Sequence, residues 1–70
     1  MTDIKVQIGN MIRQAREKKG LTLKELGEKI GSSESTVSRY EKGKINISLD
    51  TLTKITQELD CSISLKLKYQ

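Results

Sequence analysis

Histidine, proline, phenylalanine and tryptophan are all missing from this 70-residue chain, and it holds a single cysteine. One thiol forms no intramolecular disulfide. With Cys61 alone and no imidazole, a metal cluster is not expected. Platforms that stack single-stranded bases need aromatic rings, and only Tyr40 and Tyr69 are present. No nucleophile stands beside a base and no phosphate-cradling glycine loop occurs, so neither enzymatic activity nor a cofactor is expected. Glu25 and Glu28 lie one helical turn apart, but a helix cap and a solvated face account for them. Without proline or low-complexity runs, no linker divides the chain. No segment resembles a signal peptide or a membrane span, so a cytoplasmic protein without membrane attachment is expected.

What is present is mildly basic. Thirteen Lys and Arg against nine Asp and Glu leave a formal charge of +4. That suits a nucleic-acid partner without requiring one. A chain this short buries a modest core. With disulfides and metal set aside, oligomerisation is the remaining common source of buried area.

Ile4, Ile8, Met11, Ile12 and Ala15 recur with the period of one helix face. Thr2 or Asp3 suits the N-cap of that helix, and Gly20 suits the left-handed residue beyond its end. Arg13, Arg16, Lys18 and Lys19 load its C-terminal half. They either complement the negative end of the helix dipole or reach phosphates. Thr22 and Glu25 form a capping box, with Leu21 and Leu26 spaced as a hydrophobic staple. The second helix is expected over Leu23–Ile30. Gly27 inside it weakens an isolated helix by about 1 kcal/mol relative to Ala. Close approach of another helix would account for it. Gly31 ends this helix, and Ser33 is the best N-cap for a third. Val37 and Tyr40 lie about 60° apart and share its buried face, with Ser35, Ser38, Arg39 and Lys42 opposite. Gly43 again suits a position after a helix end. Ser48 caps a fourth helix, with Ile47 and Leu52 as a staple. Leu49, Leu52, Ile55 and Leu59 form its expected core face.

The period then changes. Cys61, Ile63, Leu65, Leu67 and Tyr69 alternate with Ser62, Ser64, Lys66 and Lys68. Strict alternation is the mark of a half-buried strand. A lone strand leaves its backbone groups unpaired, and the simplest partner is the same strand of a second copy about a two-fold axis. Ile63, Leu65, Leu67 and Tyr69 are the expected dimerisation residues. A frayed or helical tail is the alternative.

Residues 21–43 resemble the helix-turn-helix of phage-repressor-like regulators, the Xre family. The matching residues are Leu26, Gly27, Ile30, Gly31, Val37 and Tyr40, followed by Glu41, Lys42 and Gly43. The likeness covers residues 4–60. It implies a mainly α fold: a four-to-five-helix phage-repressor-like DNA-binding domain over residues 1–60. The helix-turn-helix lies at 22–42, and its third helix enters the major groove. The alternating tail at 61–70 resembles that of HipB-type antitoxins, whose C-terminal strands pair across a homodimer. That resemblance implies a palindromic double-stranded operator and repression of the chain's own operon. It also implies a HipA-type kinase toxin as partner. A stand-alone Xre-family regulator with no toxin is the other reading. Leu23 departs from the family, which often has Gln there to support a phosphate contact.

On this resemblance the DNA-binding residues are Thr22, Lys24, Ser33, Glu34, Ser35, Thr36, Ser38, Arg39, Lys42, Lys44 and Asn46. Thr22 and the free N–H groups of its helix start suit a phosphate. Hydroxyls at Ser33, Ser35, Thr36 and Ser38 donate or accept, and the Thr36 methyl suits thymine. Arg39 alone can pair bidentately with guanine, or it binds phosphate instead. Glu34 either accepts from cytosine N4 or only complements its helix N-terminus. Lys42, Lys44 and Asn46 suit the DNA backbone, or are ordinary solvated loop residues. Residues 21–43 carry four basic and four acidic residues, so the unit is neutral. One copy should therefore bind weakly, and two copies spanning half-sites about 34–36 Å apart should bind well.

Overall fold

The computed structural model describes residues 3–64. They form four helices: α1 (Ile4–Lys18), α2 (Leu23–Ile30), α3 (Glu34–Glu41) and α4 (Leu49–Glu58). Each begins at a side chain that accepts a hydrogen bond from a backbone N–H of the first turn. The caps are Asp3, Thr22, Ser33 and Ser48, bonded to the N–H groups of Lys5, Glu25, Thr36 and Thr51. The Thr22–Glu25 box is closed in both directions, at 3.0 and 2.9 Å.

The four ends also share one device. An N–H two residues past each cap, or one past it for α2, reaches back to a carbonyl of the last turn: Leu21 to Arg16, Ser32 to Gly27, Lys44 to Arg39, and Cys61 to Thr56. The residue before each donor is left-handed, with φ of 77° at Gly20, 71° at Gly31, 69° at Gly43 and 50° at Asp60. The glycines announce the first three stops. Asp60 carries a Cβ, yet Asp tolerates this region better than most residues. Lys19 pairs with its carboxylate, and that hydrogen bond, followed by the lysine charge, holds the Asp60 carboxyl below its ordinary value.

The buried core is Ile12, Leu26, Ile30, Val37, Ile55 and Leu59. α1 and α2 both pack on α3, and α2 also packs on α4. Leu21, Leu23, Tyr40, Ile47 and Leu52 are half-buried around the core.

Several expectations need correction. Leu49 is 80% exposed. It lies about 120° around α4 from Ile55, whereas Leu52 and Leu59 lie within about 60°. Ile4, in the first turn of α1, is also exposed. The neighbour that explains Gly27 is the turn after α2 rather than a second helix: a Cβ there would lie 2.9 Å from the Ser32 carbonyl oxygen. Residues 61–64 adopt no regular structure in the single chain, where the second copy expected to pair with them is not present. A strand needs a backbone partner, and none of the four helices offers one. The rest of that expected strand, with Leu65, Leu67 and Tyr69, lies outside the described residues, as does Thr2.

Candidate nucleic-acid interface

α3 turns Val37 and Glu41 inward. Ser35, Arg39 and Lys42 then share the opposite side, within about 60° of arc, with the half-buried Ser38 at its edge. Thr36 lies on one flank and the exposed Glu34 on the other. Lys44 and Asn46 follow, exposed, in the loop before α4.

The hydroxyls at the start of α3 are not equivalent. Ser33 Oγ accepts from the Thr36 N–H at 3.1 Å and donates to Thr36 Oγ1 at 2.8 Å. Ser35 Oγ lies 3.2 Å from Ser33 Oγ. Ser33 has one proton and has given it to Thr36, so Ser35 is the donor in that third bond. Ser33 is thereby saturated as a cap. Ser35 presents lone pairs outward, and Thr36 keeps a free proton. The ridge thus offers acceptors at Glu34 and Ser35 and donors at Thr36 and Arg39.

At the start of α2, the Thr22 N–H donates to Glu25 Oε1, and Thr22 Oγ1 accepts from the Glu25 N–H. Hydrogen bonds from Thr22, its backbone N–H first, hold the exposed Glu25 carboxyl below its ordinary value, and Lys29 adds to this. Lys24 is exposed beside it. Leu23 packs against the core, so the position where the family often has Gln serves burial here.

The residues that sequence reasoning missed lie beneath this face. Arg16 Nε donates to Glu41 Oε2 at 2.6 Å and Nη2 to Oε1 at 3.0 Å. Its Nη1 donates to the Leu21 carbonyl at 2.8 Å. The two side chains are only 12% and 6% exposed. Arg16 therefore neither faces the dipole of α1 from solvent nor reaches for phosphate. The Glu41 hydrogen bonds and charge raise its pKa still further, against the opposing effect of burial. Removing one member of such a buried pair costs about 3–5 kcal/mol. A sequence signal existed: Glu41 falls about 40° from Val37 on the buried side, where a carboxylate demands a cation.

This pair changes the charge balance. Glu41 is turned inward, so the exposed face of residues 21–43 carries four cations against three acids. The unit is neutral in sequence and slightly positive in space. Because one guanidinium holds both Leu21 and Glu41, the start of α2 lies beside the end of α3. Gly9 permits the approach of α1, since a Cβ there would sit 2.5 Å from the carbonyl oxygens of Tyr40 and Glu41.

With that geometry in place, likeness to known proteins is informative. The sequence model of the helix-turn-helix family matches residues 12–66, most of the chain. This chain belongs to the helix-turn-helix family. The family is one of DNA-binding regulators of the Xre type, not a family of enzymes. Antitoxin HipB of Escherichia coli (strain CFT073) is 39% identical over 59 residues, covering 84% of this helix-turn-helix protein and 63% of the relative. A chain of the solved HipA–HipB–O2–O3 complex matches with TM-score 0.73 at 32% identity, covering 99% of this chain and 97% of that one. The clp gene regulator ClgR of Corynebacterium glutamicum superposes with TM-score 0.85 at 29% identity, covering 89% of this chain and 80% of that one.

α1, α4 and residues 61–63 enclose an open groove of about 250 Å³. Met11, Ala15, Ile55, Leu59 and the half-buried Ile63 line it. Ile63 also borders a second hollow beside Leu49 and Leu52. Among the sequence-expected dimerisation residues, Ile63 is the one the structure describes. No helix among the described residues is long and apolar enough to cross a membrane.

Proposed function

We propose that this chain is a transcriptional repressor that binds a roughly palindromic DNA operator as a homodimer, and is the antitoxin of a HipBA-like system. The observation that carries the DNA-binding part is the polar ridge of α3, which faces outward from a helix pair locked from beneath. Arg39 and Ser35 read bases or phosphates from that ridge. Thr22, Lys24, Lys42, Lys44 and Asn46 hold the DNA backbone. Residues 1–60 do the binding, and residues 61–70 pair two copies. The exposed Leu49 and the groove lined by Ile63 support the dimer, because both leave apolar surface open beside the tail.

HipB likeness over nearly the whole chain supports an antitoxin that restrains a HipA-type kinase and represses its own operon. Likeness to ClgR, named as a clp gene regulator and not as an antitoxin, supports the second reading, a stand-alone regulator with no toxin. A toxin-like reading frame beside the gene would support the first; an isolated or phage-borne gene would support the second.

Selection of bound sequences from random duplexes at fixed salt tests the activity and yields the half-site spacing together. Two inverted half-sites about one helical turn apart are expected. Binding without symmetry, and without steep loss at higher salt, would count against the reading. Deleting residues 62–70 should leave a monomer. A truncated chain that still dimerises would exclude tail pairing.

A further inference from the structure

We propose that Arg16, on a helix outside the helix-turn-helix, is a positioning residue that sets the angle at which α2 and α3 meet DNA. The proposal rests on the DNA-binding reading above. The Arg16 guanidinium bonds to the last residue of α3 through two nitrogens, at 2.6 and 3.0 Å. Its remaining nitrogen bonds at 2.8 Å to the Leu21 carbonyl, directly before the cap of α2. One rigid planar group thus ties three segments together. The core also joins these helices through Leu26, Ile30 and Val37. Those contacts hold the helices close and set their crossing angle only to within about 15–20°, the scatter of ridge-into-groove packing. The bidentate fork is directional and admits one arrangement.

Angle matters because two sets of contacts must be made at once. The start of α2 meets a phosphate while the ridge of α3 meets base edges. Such a constellation tolerates about 0.5 Å and 10–20° of error. A tilt of α3 leaves the charge of the surface unchanged but misaligns the base contacts. Arg16 therefore governs discrimination between sequences more than overall attraction to DNA.

The test uses the full chain, its best duplex from random selection, and a scrambled duplex of equal composition, at fixed salt. Arg16→Lys keeps the charge but replaces the planar fork of three nitrogens by a single flexible one. Arg16→Met/Glu41→Met replaces the pair with apolar side chains, which commonly preserves stability. In both variants, once folding is verified by thermal melts, the ratio of scrambled to selected Kd should fall about tenfold or more. Affinity of Arg16→Lys for the scrambled duplex should change less than about threefold, with the salt slope unchanged. A folded variant that discriminates as well as the wild type overturns the proposal. If neither variant folds, the pair is a stability element and the proposal also falls. A wild-type chain that binds no duplex overturns the DNA-binding reading itself, and the positioning role with it.

Discussion

Gly9→Ala adds one carbon to the middle of α1, where intrinsic propensity favours Ala over Gly by about 1 kcal/mol. Packing opposes it. The new Cβ would lie 2.5 Å from the carbonyl oxygens of both Tyr40 and Glu41, and 2.8 Å from the Glu41 carbonyl carbon. Ordinary contact begins at 3.4 Å, so α1 and the end of α3 must separate by about 0.9 Å. The obstructing atoms are backbone, and no side-chain rotation relieves them. Separation also stretches the Arg16–Glu41 bonds, now 2.6 and 3.0 Å. Overpacking of this kind costs about 1–3 kcal/mol, and here the upper end applies. After the propensity gain, the net loss is about 2 kcal/mol. For a domain this small, that lowers Tm by about 8–16 °C. Melting followed by far-UV circular dichroism measures it, with the exposed Asn10→Ala in the same helix as control. A Gly9→Ala protein that melts at or above the Asn10→Ala protein would refute the close-approach argument.

Glu25 supplies a pH dependence. Its carboxyl is held below the ordinary value, first by the Thr22 N–H. Its contribution is therefore complete above the ordinary glutamate range and is lost as pH falls through the lowered value. Melting temperatures of the wild type should drop more steeply on acidification than those of Glu25→Gln; parallel curves would contradict this. Arg39→Ala should weaken binding to the selected duplex by about 1–3 kcal/mol and relax preference at one base pair. A uniform loss across sequences, with a salt slope shallower by about 1, would make Arg39 a phosphate contact instead. Leu49→Lys should leave stability within about 0.5 kcal/mol, since the side chain is 80% exposed. It should weaken self-association in sedimentation; an unchanged dimer would show that Leu49 lies outside the interface.

Much of the fold was legible because its signals are local. Caps at Thr22, Ser33 and Ser48 act on N–H groups three residues on. Left-handed stops at Gly20, Gly31 and Gly43 follow from the backbone freedom of glycine. The candidate site was legible for the same reason. Helical period alone puts Ser35, Arg39 and Lys42 on one side and Val37 on the other. Period was less reliable at the ends of elements, as Ile4 and Leu49 show. There the stripe continues past the neighbour that would cover it. The fourth stop, at Asp60, was not legible because an aspartate carries no such conformational mark.

By itself, then, the chain's order of residues determined where helices start and stop and which side of each is apolar, because those effects reach only a few residues. Tertiary structure alone decided which elements meet. Gly9 against the Tyr40 and Glu41 carbonyls joins residues far apart in sequence, and so does Arg16 with Glu41. Burying that carboxylate also gave the neutral helix-turn-helix its slight positive face, a property of position rather than composition.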